Sequence, residues 1–212
     1  MPPRYVAGVW LLLTGCLSGP AIMTRFLSAF LRHPIATGAI APSSAHLARE
    51  MVCWVDWNSV NVCAEFGPGT GAFTPAILAS LRPGARFLAV ELNAQFAATM
   101  ASRFPHVETL CRSVAEIDAI CDERGIQQID CIICGLPWAA FSAELQHDLM
   151  RAVLARLSAG GHFATFAYLQ GTLLPAGVRF ARLLRDSFGS VERSRTIWRN
   201  LPPAFVYRCR KL

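Results

Sequence analysis

One glycine-rich stretch constrains this chain of 212 residues more than any other feature. Ala64-Glu65-Phe66 closes an apolar run that begins at Val60, and Gly67-Pro68-Gly69-Thr70-Gly71 follows it directly. Glycines after a buried strand let the backbone come close to a ligand, because no Cβ stands in the way. Ligands of open α/β sheets bind beyond the carboxyl ends of the strands. The stretch therefore predicts a ligand site at the end of a first strand.

The remainder of the chain alternates between strand and helix patterns. The predicted strands are Val60 to Phe66, Arg86 to Leu92, Val107 to Ser113, Ile129 to Cys134, Gly161 to Tyr168, Val191 to Trp198 and Ala204 to Arg210. The predicted helices run from Ser43 or Ser44 to about Val52, from the glycine turn to about Arg82, from Ala94 to Phe104, and over about Val114 to Arg124, Ser142 to Leu157 and Val178 to Phe188. Strands separated by helices predict a mainly parallel sheet covered on both faces. The short link Arg199 to Pro203 predicts an antiparallel hairpin at the end. The expected fold is α/β and Rossmann-like, with seven strands, an antiparallel last strand and N-terminal helices.

Two carboxylates indicate which ligand the glycine turn holds. The glycine spacing, with Ala72, also satisfies the dinucleotide fingerprint, so the glycines alone do not separate S-adenosylmethionine from NAD. Glu65 would repel a pyrophosphate but attract the α-ammonium of a methionine moiety. Glu91 follows the turn by about twenty positions, which is typical of a residue that bonds ribose hydroxyls. S-adenosylmethionine is therefore the expected cofactor, bound by Glu65, Gly67, Gly69, Gly71 and Glu91.

Several short motifs make the chain resemble the bacterial phospholipid N-methyltransferases of the phosphatidylethanolamine type, which are related to rRNA adenine dimethyltransferases. These motifs are Gly38 to Ser44, Glu65 to Gly71, Val90-Glu91-Leu92, Gly135-Leu136-Pro137, Ala167-Tyr168 and Trp198 to Ala204. Pro42-Ser43-Ser44 and Asn200-Leu201-Pro202-Pro203 are the most specific to the lipid group. The resemblance implies methyl transfer to the amino group of phosphatidylethanolamine, and repeated transfer would give phosphatidylcholine.

The resemblance also implies roles for residues after the third, fourth and fifth strands. The backbone carbonyls of Gly135, Leu136 and Pro137 would hold the amine nucleophile. Tyr168 would position the amine or relay its proton, although a packing role is equally compatible with its place. Relatives carry an Asp near the third strand's end for the adenine amine. In this chain Ser113 occupies that place, with Glu116 as the alternative.

Charge and cysteine patterns bear on partners and metals. The net charge is +6, and from Val178 onward nine basic residues face only Asp186 and Glu192. This excess favours a partner with anionic phosphates, or else is a solvated basic tail. We expect a phospholipid substrate at an anionic membrane surface and no nucleic acid. Cys131 and Cys134 have the spacing of a metal pair, but on a strand they point to opposite faces, so no metal is expected.

Two alternative functions remain open at this point. An rRNA adenine N6-methyltransferase is compatible with Trp138, because an aromatic side chain there can stack on a flipped base. Because only a few strands and helices follow the core, we expect no appended RNA-binding domain, which weighs against this function. A non-catalytic, membrane-associated binding protein is the other alternative, and the intact Glu65, glycine turn and Glu91 oppose it.

The N-terminal residues form a separate problem. Arg4 and the apolar run Val6 to Leu17 look like an export signal, and the run is too short for a confident transmembrane helix. Because the cofactor is cytoplasmic, we expect residues 1–22 to be an apolar extension or to precede the real start at Met23. Residues 23–212 then form the methyltransferase domain. Its first helix, Ile22 to Arg32, is basic and amphipathic, which suits a cytoplasmic protein at the inner face of the membrane.

Overall fold

The computed structural model describes residues 44–212. The apolar extension, the helix Ile22 to Arg32 and most of the motif Gly38 to Ser44 lie outside the described residues. Seven strands form one sheet in the order β3-β2-β1-β4-β5-β7-β6. The strands are β1 Val62–Phe66, β2 Arg86–Val90, β3 Glu108–Leu110, β4 Ile129–Cys134, β5 Leu157–Tyr168, β6 Ser190–Arg193 and β7 Ala204–Arg210. The helices are α1 Ala45–Val52, α2 Thr74–Ser80, α3 Ala94–Arg103, α4 Ile117–Glu123, α5 Ala143–Arg156 and α6 Pro175–Ser187.

The sheet is mainly parallel, as the alternation of strands and helices predicts. β1 pairs in parallel with β2 and β4, and β3 and β5 extend the parallel part on either side. β7 runs antiparallel to both β5 and β6. The predicted Rossmann-like fold with an antiparallel last strand is thereby confirmed. Strand order reverses between β1 and β4, which is where open α/β sheets bind their ligands.

Two apolar layers cover the sheet because strand side chains alternate between its faces. On one face, Cys63 and Cys131 pack beneath α1 and α2. On the other, Phe66 and Cys134 pack beneath α4, α5 and α6. Cys131 and Cys134 thus lie on opposite faces, as predicted from their spacing. No helix within residues 44–212 is long and apolar enough to span a bilayer.

Some predicted boundaries are wrong, for local reasons. β3 is shorter than predicted, and a 3-10 helix at Val114–Glu116 precedes α4. β5 starts at Leu157 instead of Gly161, because Leu157 already pairs with Ile129 of β4; Gly160, with φ +69°, lies where the register then shifts. α6 starts three residues early at Pro175, a residue whose fixed φ suits the first helical turn. β6 ends at Arg193, leaving a longer link to β7 than predicted.

The described part of the chain begins at a helix cap that is tied to the far end of the sequence. The Ser44 hydroxyl accepts a hydrogen bond from the Leu47 N–H at 3.2 Å, which confirms the predicted cap of α1. The Ser44 N–H donates to the side-chain oxygen of Asn200 at 2.9 Å. Asn200 is buried, and its amide nitrogen donates to the Pro202 carbonyl at 2.8 Å. The two most family-specific motifs of the sequence therefore meet in space.

Candidate cofactor and substrate site

The glycine turn after β1 can be made only by residues without a Cβ. Gly67, Gly69 and Gly71 all have positive φ, at +66°, +59° and +82°. A Cβ on Gly67 would lie 2.7 Å from Cδ2 of Leu136, and one on Gly71 would lie 2.5 Å from the Phe104 ring. The turn is therefore in close contact with the loop after β4 on one side and with α3 on the other.

Glu91 holds the turn from the end of β2. Its carboxylate accepts hydrogen bonds from the N–H of Gly69 at 3.0 Å and from the N–H of Asn93 at 2.8 Å. The side chain is almost wholly buried. Burial raises the pKa of Glu91, and these backbone hydrogen bonds oppose that shift. A carboxylate has about four lone-pair sites, so two remain for ligand hydroxyls.

Glu65 lies beneath the turn and has a free oxygen. One carboxylate oxygen accepts a hydrogen bond from the Thr74 hydroxyl at 2.7 Å. The other is fully buried and has no hydrogen-bond partner among residues 44–212. Burial raises the pKa of Glu65 to about 8; the Thr74 hydrogen bond lowers it and the charge of Glu91 raises it further. An orphaned buried carboxylate oxygen under a glycine turn fits the ammonium of a methionine moiety, which would satisfy it.

One cavity collects most of the predicted site residues. It opens where β1, β2, β3 and β4 end, so four separate strands contribute to its wall. Apolar side chains dominate the wall, which suits the flat face of a nucleoside base. The lining residues are Gly67, Val90, Glu91, Leu92, Ser113, Val114, Gly135, Leu136, Pro137, Phe141, Leu145 and Leu149.

Four predicted residues do not line this cavity. Glu65 is enclosed beneath the turn, and Gly69 faces Glu91. Gly71 lines a second, wider cleft between α1 and the start of α2. Tyr168 is half-buried at the end of β5, where its ring meets Phe166 edge-on at 5.4 Å. Burial raises the pKa of the Tyr168 phenol.

Two residues after the end of β3 are candidates for the adenine contact, and they differ in their position relative to the cavity. Ser113 lies on the wall, and its hydroxyl accepts a hydrogen bond from the Ala115 N–H at 3.2 Å. Glu116 does not line the cavity: one oxygen accepts from the Ser113 N–H at 3.1 Å and the other pairs with Arg112 at 2.9 Å. Of the two, only Ser113 lines this cavity.

The loop after β4 is held by a residue that sequence reasoning missed. Gln146, buried on α5, donates to the carbonyls of Trp138 at 2.7 Å and Ala176 at 3.1 Å. A polar side chain on the otherwise apolar inner face of a helix was the signal available for it. The carbonyls of Leu136 and Pro137 accept only one backbone hydrogen bond each, so each keeps a lone pair.

Trp138 occupies a different place from the one considered in the sequence analysis. Its indole is buried in the core and stacks on Phe180 at 4.5 Å between ring centroids. Phe141 and Phe163 contact it edge-on. The possibility that Trp138 stacks on a flipped substrate base is therefore wrong, because its ring is packed in the aromatic core.

Several solved protein structures share the fold of this chain. No protein-family model matches the chain. Among solved structures, the chain is similar to the O-methyltransferase TomG of Streptomyces achromogenes in complex with S-adenosylmethionine (TM-score 0.62, 15% identity, covering 96% of this chain and 95% of that one). It is also similar to an O-methyltransferase of Bacillus cereus in complex with S-adenosylhomocysteine (TM-score 0.59, 13% identity, 94% and 96% covered). At these identities the likeness concerns the fold.

A curated relative adds the family. The ornithine lipid N-methyltransferase of Singulisphaera acidiphila is 35% identical to the chain over 189 residues, which are 87% of this chain and 94% of the relative. The resemblance to lipid N-methyltransferases is thus confirmed in general, but not for the phosphatidylethanolamine type. The chain is an S-adenosylmethionine-dependent methyltransferase, and it belongs to the family of that lipid N-methyltransferase.

Proposed function

We propose that this enzyme methylates the primary amino group of a membrane amino lipid, with an ornithine lipid as the first candidate substrate. The observation that carries the proposal is the 35% identity to the ornithine lipid N-methyltransferase across 94% of its length. Phosphatidylethanolamine, suggested by the sequence motifs, is the second candidate. Both lipids combine a primary amine with a nearby anionic group, so one pocket geometry suits either.

Cofactor binding is assigned to residues around the glycine turn. The free oxygen of Glu65 would accept the ammonium of the methionine moiety, and the turn Gly67 to Gly71 would let the backbone approach it. Glu91 would accept hydrogen bonds from the ribose hydroxyls with its remaining lone pairs. Ser113 would border the adenine. The apolar cavity between β2, β3 and β4 supports this placement.

The acceptor amine is assigned to the loop after β4. Bound S-adenosylmethionine supplies an electrophilic methyl group on a positively charged sulfur. The carbonyls of Leu136 and Pro137 would orient the amine's N–H groups, with Gly135 allowing the loop to contact the turn: a Cβ on Gly135 would lie 2.6 Å from the Gly67 carbonyl oxygen. Alignment of donor and acceptor of this kind supplies much of the rate of a displacement reaction.

The acceptor amine of the lipid must be neutral to react, so a group of the enzyme must take up its proton. The cavity wall is mostly apolar, which disfavours the charged ammonium form. Tyr168 lies at the same edge of the sheet and is assigned to position the amine or relay the proton. Its side chain is only half-buried, and the pKa of its phenol is raised by burial alone, with no hydrogen bond contributing to the shift.

The competing functions are less well supported. An rRNA adenine methyltransferase would use an aromatic side chain after β4 to stack on the base, and Trp138 is buried in the core. The curated relative acts on a lipid according to its name. The enzymatic assignment leaves no ground for a purely binding protein. We further propose that the enzyme works at the inner face of the cytoplasmic membrane, where its lipid substrate and its cofactor meet.

An assay with labelled cofactor tests the proposal. The purified full chain is incubated with S-adenosylmethionine carrying a labelled methyl group and with vesicles that contain ornithine lipid, vesicles that contain phosphatidylethanolamine, or ribosomal RNA. We expect label in the lipid extract, and product masses then give the number of methyl groups. Label in RNA, or cofactor binding without transfer to either lipid, would overturn the proposal.

A further inference from the structure

Two exposed apolar segments lie at the edge of the sheet where the site opens. The first runs from the end of β5 into the first turn of α6 and exposes Leu173 by 84%, together with Leu174 and Val178. The second connects β6 to β7 and exposes Trp198 by 73%, together with Leu201. Both segments lie at the carboxyl edge of the sheet, since Tyr168 at the end of β5 pairs with Ala204 at the start of β7. Large exposed apolar side chains that gather at one edge of a domain mark an interaction surface.

The second segment presents its apolar residues from a fixed backbone. Asn200 is buried between Trp198 and Leu201 and is hydrogen-bonded to Ser44 and Pro202. The Ile197 N–H donates to the Ala204 carbonyl at 2.7 Å, which ties the same segment to β7. Anchoring on both sides means that Trp198 and Leu201 point outward because the fold holds them there.

The charge pattern indicates what covers these residues. Neither residues 169–182 nor residues 194–203 contain an Asp or Glu. The arginines in these segments are exposed and form no salt bridge within the described residues. They are Arg179, Arg182, Arg195 and Arg199. Apolar side chains flanked by unpaired cations match an anionic lipid surface, where the cations meet phosphates and the apolar groups enter the acyl region.

The start of α6 has the spacing that such a surface requires. Leu174, Val178 and Arg182 are four residues apart, so they follow one line along the helix surface. Each step of four residues rises about 6 Å along the axis. The two apolar residues lie nearest the sheet edge and the arginine lies one turn further from it. Trp198 has an amphipathic ring of the type that is enriched at the level of lipid headgroups.

We propose that this edge of the domain docks onto an anionic bilayer, and we name it the docking edge: Leu173, Leu174, Val178, Trp198 and Leu201, with Arg179, Arg182, Arg195 and Arg199. The inference rests on the proposed lipid substrate. Docking at this edge turns the carboxyl ends of the strands, where the cavity opens, toward the membrane surface, so a headgroup amine reaches the loop after β4 while its acyl chains stay in the bilayer. The docking edge is distinct from the amphipathic helix expected over Ile22 to Arg32.

Vesicle binding by the full chain tests the docking edge without any turnover. Vesicles of equal parts phosphatidylcholine and phosphatidylglycerol are sedimented with the wild-type protein and with the double variants W198S/L201S and L173S/L174S. We expect each double variant to lose binding at least 10-fold. Leu212→Ser is the matched control, because Leu212 is 91% exposed but lies at the opposite edge of the sheet. Binding by both double variants at the wild-type level would overturn the proposal.

The cationic part is tested in the same way. The variant R179Q/R182Q should bind the mixed vesicles at least 10-fold more weakly, while R86Q/R210Q, which removes two exposed arginines from the opposite edge, should not. All variants should bind vesicles of phosphatidylcholine alone only weakly. An equal loss in both charge variants would mean that net charge, and not this edge, attracts the membrane, and would contradict the proposal.

Insertion of Trp198 gives a direct readout. Lipids brominated in their acyl chains quench the fluorescence of an indole that reaches them. We expect Trp198→Phe to lose most of this quenching, while Trp57→Phe, just before the start of β1 at the opposite edge of the sheet, keeps it. Quenching that Trp198→Phe leaves intact would contradict docking through this edge.

Methyl transfer to a short-chain amino lipid, dissolved below its micelle concentration, separates the docking proposal from the proposed function. Wild-type turnover of that lipid by W198S/L201S supports docking as a separate step, whereas absence of turnover in the wild-type protein would count against the proposed function itself.

Discussion

The side-chain oxygen of Asn200 accepts a hydrogen bond from the backbone N–H of Ser44, at 2.9 Å, across 156 positions of the sequence. This contact fixes the start of α1 against the segment that leads into β7. Both residues belong to motifs that resemble the lipid N-methyltransferase family. The structure thus gives Ser44 and Asn200 a shared physical role, which is to hold α1 at the carboxyl edge of the sheet.

Replacing Asn200 should loosen this junction. Asn200→Ala removes an acceptor and a donor from a buried site, so we expect the free energy of unfolding to fall by about 1–3 kcal/mol. Asn200→Asp keeps the acceptor for Ser44 but puts a buried carboxylate oxygen against the Pro202 carbonyl, so it should lose at least as much stability as Asn200→Ala. Urea denaturation of both variants measures the difference. As a control, Asn58→Ala removes an exposed asparagine of a short 3-10 helix and should change little. Equal stability of Asn200→Ala and the wild type would show that the junction is not fixed by this side chain.

Glu91 should matter for both folding and cofactor binding. The sequence alone suggests that its removal costs only affinity, but its carboxylate also accepts the N–H groups of Gly69 and Asn93. Glu91→Ala leaves two partly buried donors unpaired, so we expect a loss of about 1–3 kcal/mol in stability. Glu91→Gln keeps an acceptor oxygen and should lose less stability, yet bind S-adenosylmethionine about 10-fold more weakly, which corresponds to one lost hydrogen bond of ~1.4 kcal/mol. Calorimetry that finds full affinity in Glu91→Gln would remove Glu91 from the cofactor site.

The sequence predicts part of this geometry, for identifiable physical reasons. The glycine turn and Glu91 are readable because each depends on a local pattern at the end of a strand. The hydrogen bonds of Gln146 and Asn200 cannot be predicted from the sequence, because they join segments that only the folded chain brings together. Trp138 misled the prediction because an aromatic residue in a loop can face either a ligand or the core, and only the packing of α6 against it decides which.

The buried carboxyl of Glu65 should make stability depend on pH. Its pKa is about 8 in the folded protein, compared with an ordinary value of 4.5. Between these values the folded state holds a proton that the unfolded chain has released, so the free energy of unfolding of the cofactor-free protein falls as pH rises from about 5 to about 8, by on the order of 4 kcal/mol at most. Glu65→Gln mimics the protonated form and should lack this component. If the free energies of unfolding of the two proteins changed with pH in the same way, the raised pKa of Glu65 would be contradicted.

The same carboxyl should couple cofactor binding to proton release. An ammonium pairs with the ionised form of Glu65, so below about pH 8 binding of S-adenosylmethionine should expel a proton and tighten as pH rises. Calorimetry in two buffers of different ionisation enthalpy measures the released proton. Glu65→Gln should bind without release. If the affinity of the wild-type protein for S-adenosylmethionine did not change between pH 6 and pH 8, Glu65 would support the glycine turn without pairing with the ammonium of the cofactor.

The turn should tolerate no side chain at Gly67. Gly67 and Gly84 both have positive φ, at +66° and +83°, but only a Cβ on Gly67 meets another residue, Leu136. Gly84→Ala measures backbone strain alone, roughly 1–2 kcal/mol, and should leave cofactor affinity unchanged. We expect Gly67→Ala to be less stable than Gly84→Ala and to lose at least 10-fold in affinity for S-adenosylmethionine. Adding Leu136→Ala should recover part of the stability, and equal behaviour of the two glycine variants would contradict the close contact between the turn and the loop.

Replacing Gln146 should lower the rate of methyl transfer without changing the affinity for the cofactor. Its amide holds the carbonyls of Trp138 and Ala176 from inside the core, and it does not line the cofactor cavity. Gln146→Ala leaves that loop less constrained, so we expect kcat to fall about 10-fold because the amine is aligned less precisely, with the affinity for S-adenosylmethionine unchanged. Stability should fall by about 1–3 kcal/mol, so both proteins are assayed well below their unfolding temperatures. Gln95→Ala, on the exposed surface of α3, is the matched control. A stability loss with unchanged kcat would make Gln146 a purely structural residue and would weaken the assignment of the loop after β4 to the acceptor amine.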